Sequence, residues 1–206
     1  MIDGLMKSTI DPLWDAMATP LVKARLTPNQ VTSIGVVLII VVSLAYIWHQ
    51  SAAIYGLCLI LAFSFDSLDG AVARRRNMST KAGGYFDAMV DRYQELAVLA
   101  TLAFVHDAWP LALACFSGSI ITSYAKARTA IEMPVSNTDW PDFFERLERV
   151  IYLCAMLLIA GALGGWVVTW GLVGFAVLAH FTALQRFLRA SKMLRAQDAA
   201  DDASGA

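Results

Sequence analysis

From Val31 to Trp48 the chain runs 18 residues without a charged side chain. Once helical, such a run approaches the roughly 30 Å hydrocarbon thickness of a bilayer. Apolar stretches of the same kind follow at Ala52–Phe65, Leu96–Val105, Ala108–Ala125, Val150–Gly164 and Trp166–Gln185. Two of these are too short alone and reach spanning length when neighbouring polar residues continue the same helices. Hydrophobic residues make up 58% of the chain and charged ones only 16%, which places most of it in lipid. The expectation is an all-α, six-transmembrane-helix integral membrane protein.

The basic residues test that count. Lys7, Lys23 and Arg25 precede the first span, and Arg74, Arg75, Arg76, Lys81 and Arg92 lie around the second gap. Lys126, Arg128, Arg146 and Arg149 surround the fourth gap, and Arg186, Arg189, Lys192 and Arg195 follow the sixth span. All 16 Lys and Arg therefore fall on one side, with none in the gaps at His49–Ser51, His106–Asp107 and Gly164–Gly165. The positive-inside rule then puts both termini in the cytoplasm of a cell (inner or plasma) membrane protein.

Residues 1–26 lack the continuous apolar core of a cleavable signal. Leu5, Leu13, Trp14, Met17, Leu21 and Val22 interleave with Lys7, Asp11, Asp15 and Lys23, the pattern of an N-terminal amphipathic juxtamembrane helix with Trp14 at headgroup depth. Residues 27–195 form the six-span body, and the Ala- and Asp-rich stretch 196–206 reads as a disordered tail. Cys58, Cys115 and Cys154 lie in apolar spans and read as small buried hydrophobes. A net charge of −1 gives no sign of nucleic-acid binding.

Against this apolar background stands Asp66-x-x-Asp69-Gly70-x-x-Ala73-Arg74, followed by Gly83-x-x-x-Asp87-x-x-x-Asp91. Gaps of three and four put Asp66 and Asp69 on one helical face, and Asp87 and Asp91 on another. Carboxylates at the edge of a bilayer are costly and mark function, here lining a polar cavity open to the cytoplasm. If the two faces meet, repulsion calls for a hard divalent cation or a pair of them. Gly70 and Gly83 permit close approach of a phosphate or base, and the Arg74 fork grips phosphate at two points. Carboxylates, metal and arginine together point to phosphoryl transfer.

The same residues resemble the signature of the CDP-alcohol phosphotransferases, D-x-x-D-G-x-x-A-R-x(8)-G-x-x-x-D-x-x-x-D, with every fixed position filled. The resemblance implies that a CDP-linked lipid, CDP-diacylglycerol, donates its phosphatidyl group to a hydroxyl while CMP leaves. It also implies two Mg2+ ions, with Mn2+ a substitute, and a homodimer. Asp66, Asp69 and Asp87 would ligate the first ion; Asp66, Asp87 and Asp91 would serve the second, and Asp91 would be the base. Asn29, Gln30, Val31 and Thr32 resemble the segment that lines the family's cytidine pocket, joined by Gly70, Arg74 and Thr80 at the CDP-lipid.

The acceptor side is similar to the phosphatidylinositol phosphate synthase branch in three segments: Ser123-Tyr124-Ala125-Lys126-Ala127-Arg128, Glu145-Arg146-Leu147-Glu148-Arg149 and Gln185-Arg186. By that match Ser123, Lys126, Arg128, Arg149 and Arg186 would hold the phosphate of a phosphorylated polyol, inositol 1-phosphate, to give phosphatidylinositol phosphate. Four cations from three helices suit a dianion. Asn77 and Thr80 resemble phosphatidylglycerophosphate synthases equally, which keeps glycerol 3-phosphate as the alternative acceptor. A cation or proton transporter would explain the buried acids but not Gly70, Gly83 and Arg74, and shows no internal repeat. A catalytically dead scaffold is disfavoured because no motif carboxylate is missing. Glu95 could support the metal shell, but reads rather as a protonated acid between helices, and His180 as a hydrogen-bonded interhelical residue.

Overall fold

The structure, a computed structural model, describes residues 14–135 and 142–204. Every element among them is a helix: α1 Thr19–Lys23, α2 Pro28–His49, α3 Ala52–Asp66, α4 Leu68–Arg75, α5 Lys81–His106, α6 Trp109–Glu132, α7 Arg146–Leu163 and α8 Trp166–Ser204. Pro28 starts α2 at a position that lacks an N–H partner anyway, and a capping box closes it: Gln30 N–H donates to Thr27 Oγ1, and Thr27 N–H to Gln30 Oε1. Gln50 and Asp107, both left-handed, end α2 and α5, and Gly164 (φ +105°) turns the chain from α7 into α8.

Among the described residues, three stretches are long and apolar enough to cross a membrane: Pro28–His49, Ala52–Arg75 and Trp166–Asp202. The second runs through α3 and α4, separated only by Ser67. The bundle packs α6 against α8, α2 against α3 and α5, and α3 against α7. Leu59, Leu99, Leu102, Leu153, Leu157, Leu172 and Phe175 form its interior. Large apolar side chains also cover the outside, among them Val37, Leu61, Leu113, Val177 and Leu184. That outward greasiness is what a lipid-facing bundle requires, whereas a water-soluble one would not present it so widely.

Where two helices must touch, small residues allow it. A Cβ at Gly118 would sit 2.9 Å from that of Ala179, so α6 and α8 meet at their backbones. His180 reaches the Ala114 carbonyl at 3.1 Å, the interhelical role expected of it. Cys115 and Cys154 are buried free thiols and Cys58 is partly buried, also free.

Two expectations change. The stretch expected as a disordered tail is helical through Ser204. Ala196, Ala199 and Ala200 are strong helix formers, and extending an existing helix needs no new nucleus. The amphipathic segment lies partly outside the described residues, since residues 1–13 are not among them. Its described part is docked rather than merely laid on an interface. Trp14, Leu21, Val22 and Leu26 pack on Val31, Leu68, Ala71 and Val72 of α2 and α4. Arg75 donates to the Asp15 carbonyl and Thr19 Oγ1, and Arg76 to the carbonyls of Arg25 and Leu26. Two cations read only as topology signals therefore fasten the leading segment to the bundle.

Candidate active site

Asp66 is the last residue of α3, and the break at Ser67 lets α4 set off with Asp69, Gly70, Ala73 and Arg74. Thr80 accepts from Gly83 N–H (3.0 Å) and so caps α5, which carries Asp87 and Asp91 one turn apart. The two helices face each other as expected. One carboxylate oxygen from each of Asp66, Asp87 and Asp91 lies within 4.8 Å of the others.

Asp69 stands slightly aside and accepts a hydrogen bond from Thr32 on α2. Asp66 is held from several directions. Gln94, wholly buried, donates to its Oδ1 at 2.8 Å. A Cβ at Gly35 would come within 2.6 Å of that same oxygen, so only glycine lets α2 pass so near.

Arg146, at the start of α7, enters the cluster from the other side. Its Nη2 lies 2.9 Å from Asp66 Oδ2, 2.9 Å from Gln94 Oε1, and closer still to Asp91 Oδ1. Asp91 is 8% exposed, and its Oδ1 receives no well-formed hydrogen bond despite that contact. An all-oxygen donor set with a buried, under-satisfied carboxylate oxygen fits a hard divalent cation such as Mg2+ or Mn2+.

Two cavities flank the aspartates. The first, about 510 Å³, is lined by Asn29, Thr32, Asp69, Gly70, Arg74, Thr80, Gly83 and Asp87 among others. Most residues expected at the CDP-lipid are here, but Gln30 and Val31 are not. Gln30 is spent on the capping box, and Val31 is fully buried against Leu68, Ala71 and Val72. On a helix, neighbours in sequence point in different directions, so a run of four contiguous residues cannot all face one pocket.

The second cavity, about 430 Å³, is lined by Arg92, Ser123, Lys126, Arg146, Arg149 and Arg186, with Glu145 and Glu148 beside them. Ser123, Lys126, Arg149 and Arg186 are brought together as expected. Arg128 is not. Two residues beyond Lys126, it turns to the opposite face of α6, pairs with Glu132, and lines a separate groove against α8. Arg186 is oriented by Asp142 (2.6 Å), Glu145 (2.8 Å) and the Thr122 carbonyl (2.7 Å). Glu95, expected as a neutral acid, instead faces Arg149 at 2.7 Å. The expectation failed because its partner is 54 residues away, beyond the reach of local pattern.

Arg92, Gln94 and Arg146 were not among the residues expected at the site. Arg92 donates to Ser123 Oγ (2.7 Å) and lies 3.8 Å from Asp91, joining the acidic cluster to the cationic cavity. Their signal was present: Arg92 adjoins the last motif aspartate, and Arg146 sits in the Glu145–Arg149 segment. Both looked like members of a basic cytoplasmic edge.

The family model for CDP-alcohol phosphatidyltransferases matches residues 25–182, the stretch that carries all four aspartates and every named residue of the two cavities except Arg186. The chain belongs to the CDP-alcohol phosphatidyltransferase family. Among curated members it is similar to the archaetidylinositol phosphate synthase of Pyrococcus horikoshii, 29% identical over 94% of this chain and 98% of that one. It is 32% identical to the phosphatidylinositol phosphate synthase of Mycobacteroides abscessus, over 88% of this chain and 85% of the relative. Its fold matches the crystal structure of Mycobacterium tuberculosis phosphatidylinositol phosphate synthase with CDP-DAG bound. That match has a TM-score of 0.75 and 26% identity, and covers 87% of this chain and 94% of the other. The same mycobacterial enzyme in complex with manganese and citrate matches at a TM-score of 0.74 and 26% identity, over 86% and 88% of the two chains. As a member of this family, the protein is a transferase of phospholipid synthesis.

Proposed function

We propose that this protein transfers the phosphatidyl group of CDP-diacylglycerol to a hydroxyl of inositol 1-phosphate, giving phosphatidylinositol phosphate and CMP. The observation that carries the reading is the cationic cavity abutting the aspartate cluster, with Arg92 and Arg146 reaching both. An uncharged acceptor alcohol would have no use for Arg92, Lys126, Arg146, Arg149 and Arg186 around one cavity. The names of the relatives favour inositol phosphate over glycerol 3-phosphate.

Asp66, Asp69, Asp87 and Asp91 would hold two Mg2+ ions, which when bound neutralise charge on the donor pyrophosphate. Asn29, Thr32, Gly70, Arg74 and Thr80 would receive the CDP end of the lipid, with Gly70 and Gly83 giving it room against the backbone. Ser123, Lys126, Arg149 and Arg186 would seat the acceptor phosphate, so that the acceptor hydroxyl points at Asp91. Asp91 then takes the hydroxyl proton while that oxygen attacks the lipid-bearing phosphorus, and the P–O bond to CMP breaks. Arg186 is aimed before substrate arrives, because Asp142 and Glu145 already fix its fork.

The setting proposed is a homodimer in the cell membrane, residues 27–195 forming six spans in each copy. The leading segment, docked on α2 and α4 from Trp14 to Leu26, would lie at the cytoplasmic interface. The short connections at His49–Ser51, His106–Asp107 and Gly164–Gly165 would face outward. Purified protein with CDP-diacylglycerol and Mg2+ is expected to release CMP on addition of inositol 1-phosphate. Release with glycerol 3-phosphate alone would reassign the acceptor, and no release with any alcohol would end the transferase reading.

A further inference from the structure

The cavity-lining residue Arg146 also sits on the carboxylates that a divalent ion would need. It contacts Asp66 Oδ2 at 2.9 Å and, more closely, Asp91 Oδ1, while lining the acceptor-side cavity with Lys126, Arg149 and Arg186. A guanidinium and a metal ion cannot both hold those two oxygens at contact distance, because two cations side by side in a site of low polarity repel strongly. The guanidinium also has a second place to go. Its side chain retains 32% exposure, and it lines a cavity whose other cations would attract a dianion.

We propose that Arg146 is an internal counter-ion that competes with the divalent metal for Asp66 and Asp91, and that an acceptor dianion draws it off. Metal and acceptor phosphate then bind cooperatively through this one side chain. In their absence, Arg146 offsets the repulsion among Asp66, Asp87 and Asp91, with Gln94 bridging it to Asp66. With a dianion in the cavity, the arginine exchanges two carboxylates for a phosphate of equal appeal, and the freed oxygens accept the metal. Linkage makes the effect reciprocal: bound metal must tighten acceptor binding by the same factor. Arg146 is thus a positioning residue that keeps the site from loading metal strongly before the acceptor is present. The inference rests on the acceptor-phosphate reading of the cavity, though its test does not require turnover.

The test measures Mn2+ binding to the full-length protein in lipid nanodiscs, from the electron paramagnetic resonance signal of free Mn2+. Sulfate serves as a tetrahedral dianion with little hold on Mn2+, and chloride keeps ionic strength constant. Wild type is expected to bind Mn2+ about tenfold more tightly when sulfate is present, a coupling within the range usual for linked sites. Arg146→Gln is expected to bind Mn2+ about tenfold more tightly than wild type without sulfate, and to lose the response to it.

Equal or weaker Mn2+ binding by Arg146→Gln, or an undiminished sulfate response in that variant, would overturn the proposal. If Arg146→Gln does not fold, Arg146→Lys decides. The shorter, single-point cation should bind Mn2+ more tightly than wild type and keep part of the sulfate response, and a wild-type titration would refute competition. Coupling without CMP release from any acceptor would uphold Arg146's role and sink the transferase reading. CMP release without coupling would do the reverse.

Discussion

Arg149 Nε lies 2.7 Å from Glu95 Oε1, and the two residues are 2% and 7% exposed. This buried pair joins α7 to α5 beside Asp91, and its Arg149 lines the cationic cavity. Arg92 lies 3.6 Å from the same carboxylate, so one acid organises two cavity arginines. Its position one turn beyond Asp91 on α5 ties acceptor-side geometry to the catalytic helix itself.

Removing the acid should therefore cost stability and acceptor binding together. Glu95→Gln leaves Arg149 buried without a counter-charge, an arrangement that typically costs about 3–5 kcal/mol. Thermal denaturation in detergent should show a large drop in midpoint. The double change Glu95→Leu with Arg149→Met should recover much of the stability while remaining unable to bind the acceptor.

Gly35→Ala is a test of close packing around Asp66. The added methyl would stand 2.6 Å from Asp66 Oδ1 and 3.1 Å from its Cα, so either α2 or α3 must move. Overpacking of this kind costs about 1–3 kcal/mol. Because the displaced group is a proposed metal ligand, CMP release should fall further than stability does, on the order of a hundredfold. Titrating Mg2+ against activity should show the requirement moved to higher concentration.

Arg128 and Arg186 should behave differently although both were expected at the acceptor. Arg128 makes a half-exposed pair with Glu132 outside the cationic cavity, and such pairs contribute little. Arg128→Ala should leave the acceptor KM within about twofold of wild type. Arg186→Ala removes a fork held by Asp142 and Glu145 and should raise that KM by about a hundredfold. Steady-state kinetics with inositol 1-phosphate at saturating donor distinguishes them; equal effects would return Arg128 to the site.

Arg75→Ala with Arg76→Ala removes the bonds from α4 to the Asp15, Arg25 and Leu26 carbonyls. The leading segment should then detach from Val31, Leu68 and Val72. Limited proteolysis should cut ahead of residue 27 much sooner than in wild type, with the bundle from α2 to α8 surviving. An unchanged cleavage pattern would mean that apolar packing alone secures this segment.

Chain order alone carried the helical class, the membrane setting and the aspartate motif. The apolar runs and the Asp66–Asp69 and Asp87–Asp91 spacings are local properties, and helix periodicity converts them directly into faces. The same locality led to errors where a segment match was carried over residue by residue. Gln30, Val31 and Arg128 occur in matching stretches, yet each points away from its expected pocket because successive helical residues turn by 100°. Tail helix through Ser204 was hidden for another reason: charge and alanine content resemble a loose end, but a helix already nucleated in the bundle continues at little cost.

What only the tertiary structure decided are the pairings across distance. Asp66 meets Arg146 across 80 residues, Glu95 meets Arg149 across 54, and Arg186 meets Asp142 across 44. No spacing rule relates such partners, since their meeting depends on how close α2, α3, α5, α7 and α8 pack. That closeness is set by shape: a glycine at position 35 brings α2 against Asp66, where any side chain would hold it off. Residue types therefore determined that this chain would gather acids and cations at one end of a helical bundle. Packing decided which cation faces which acid.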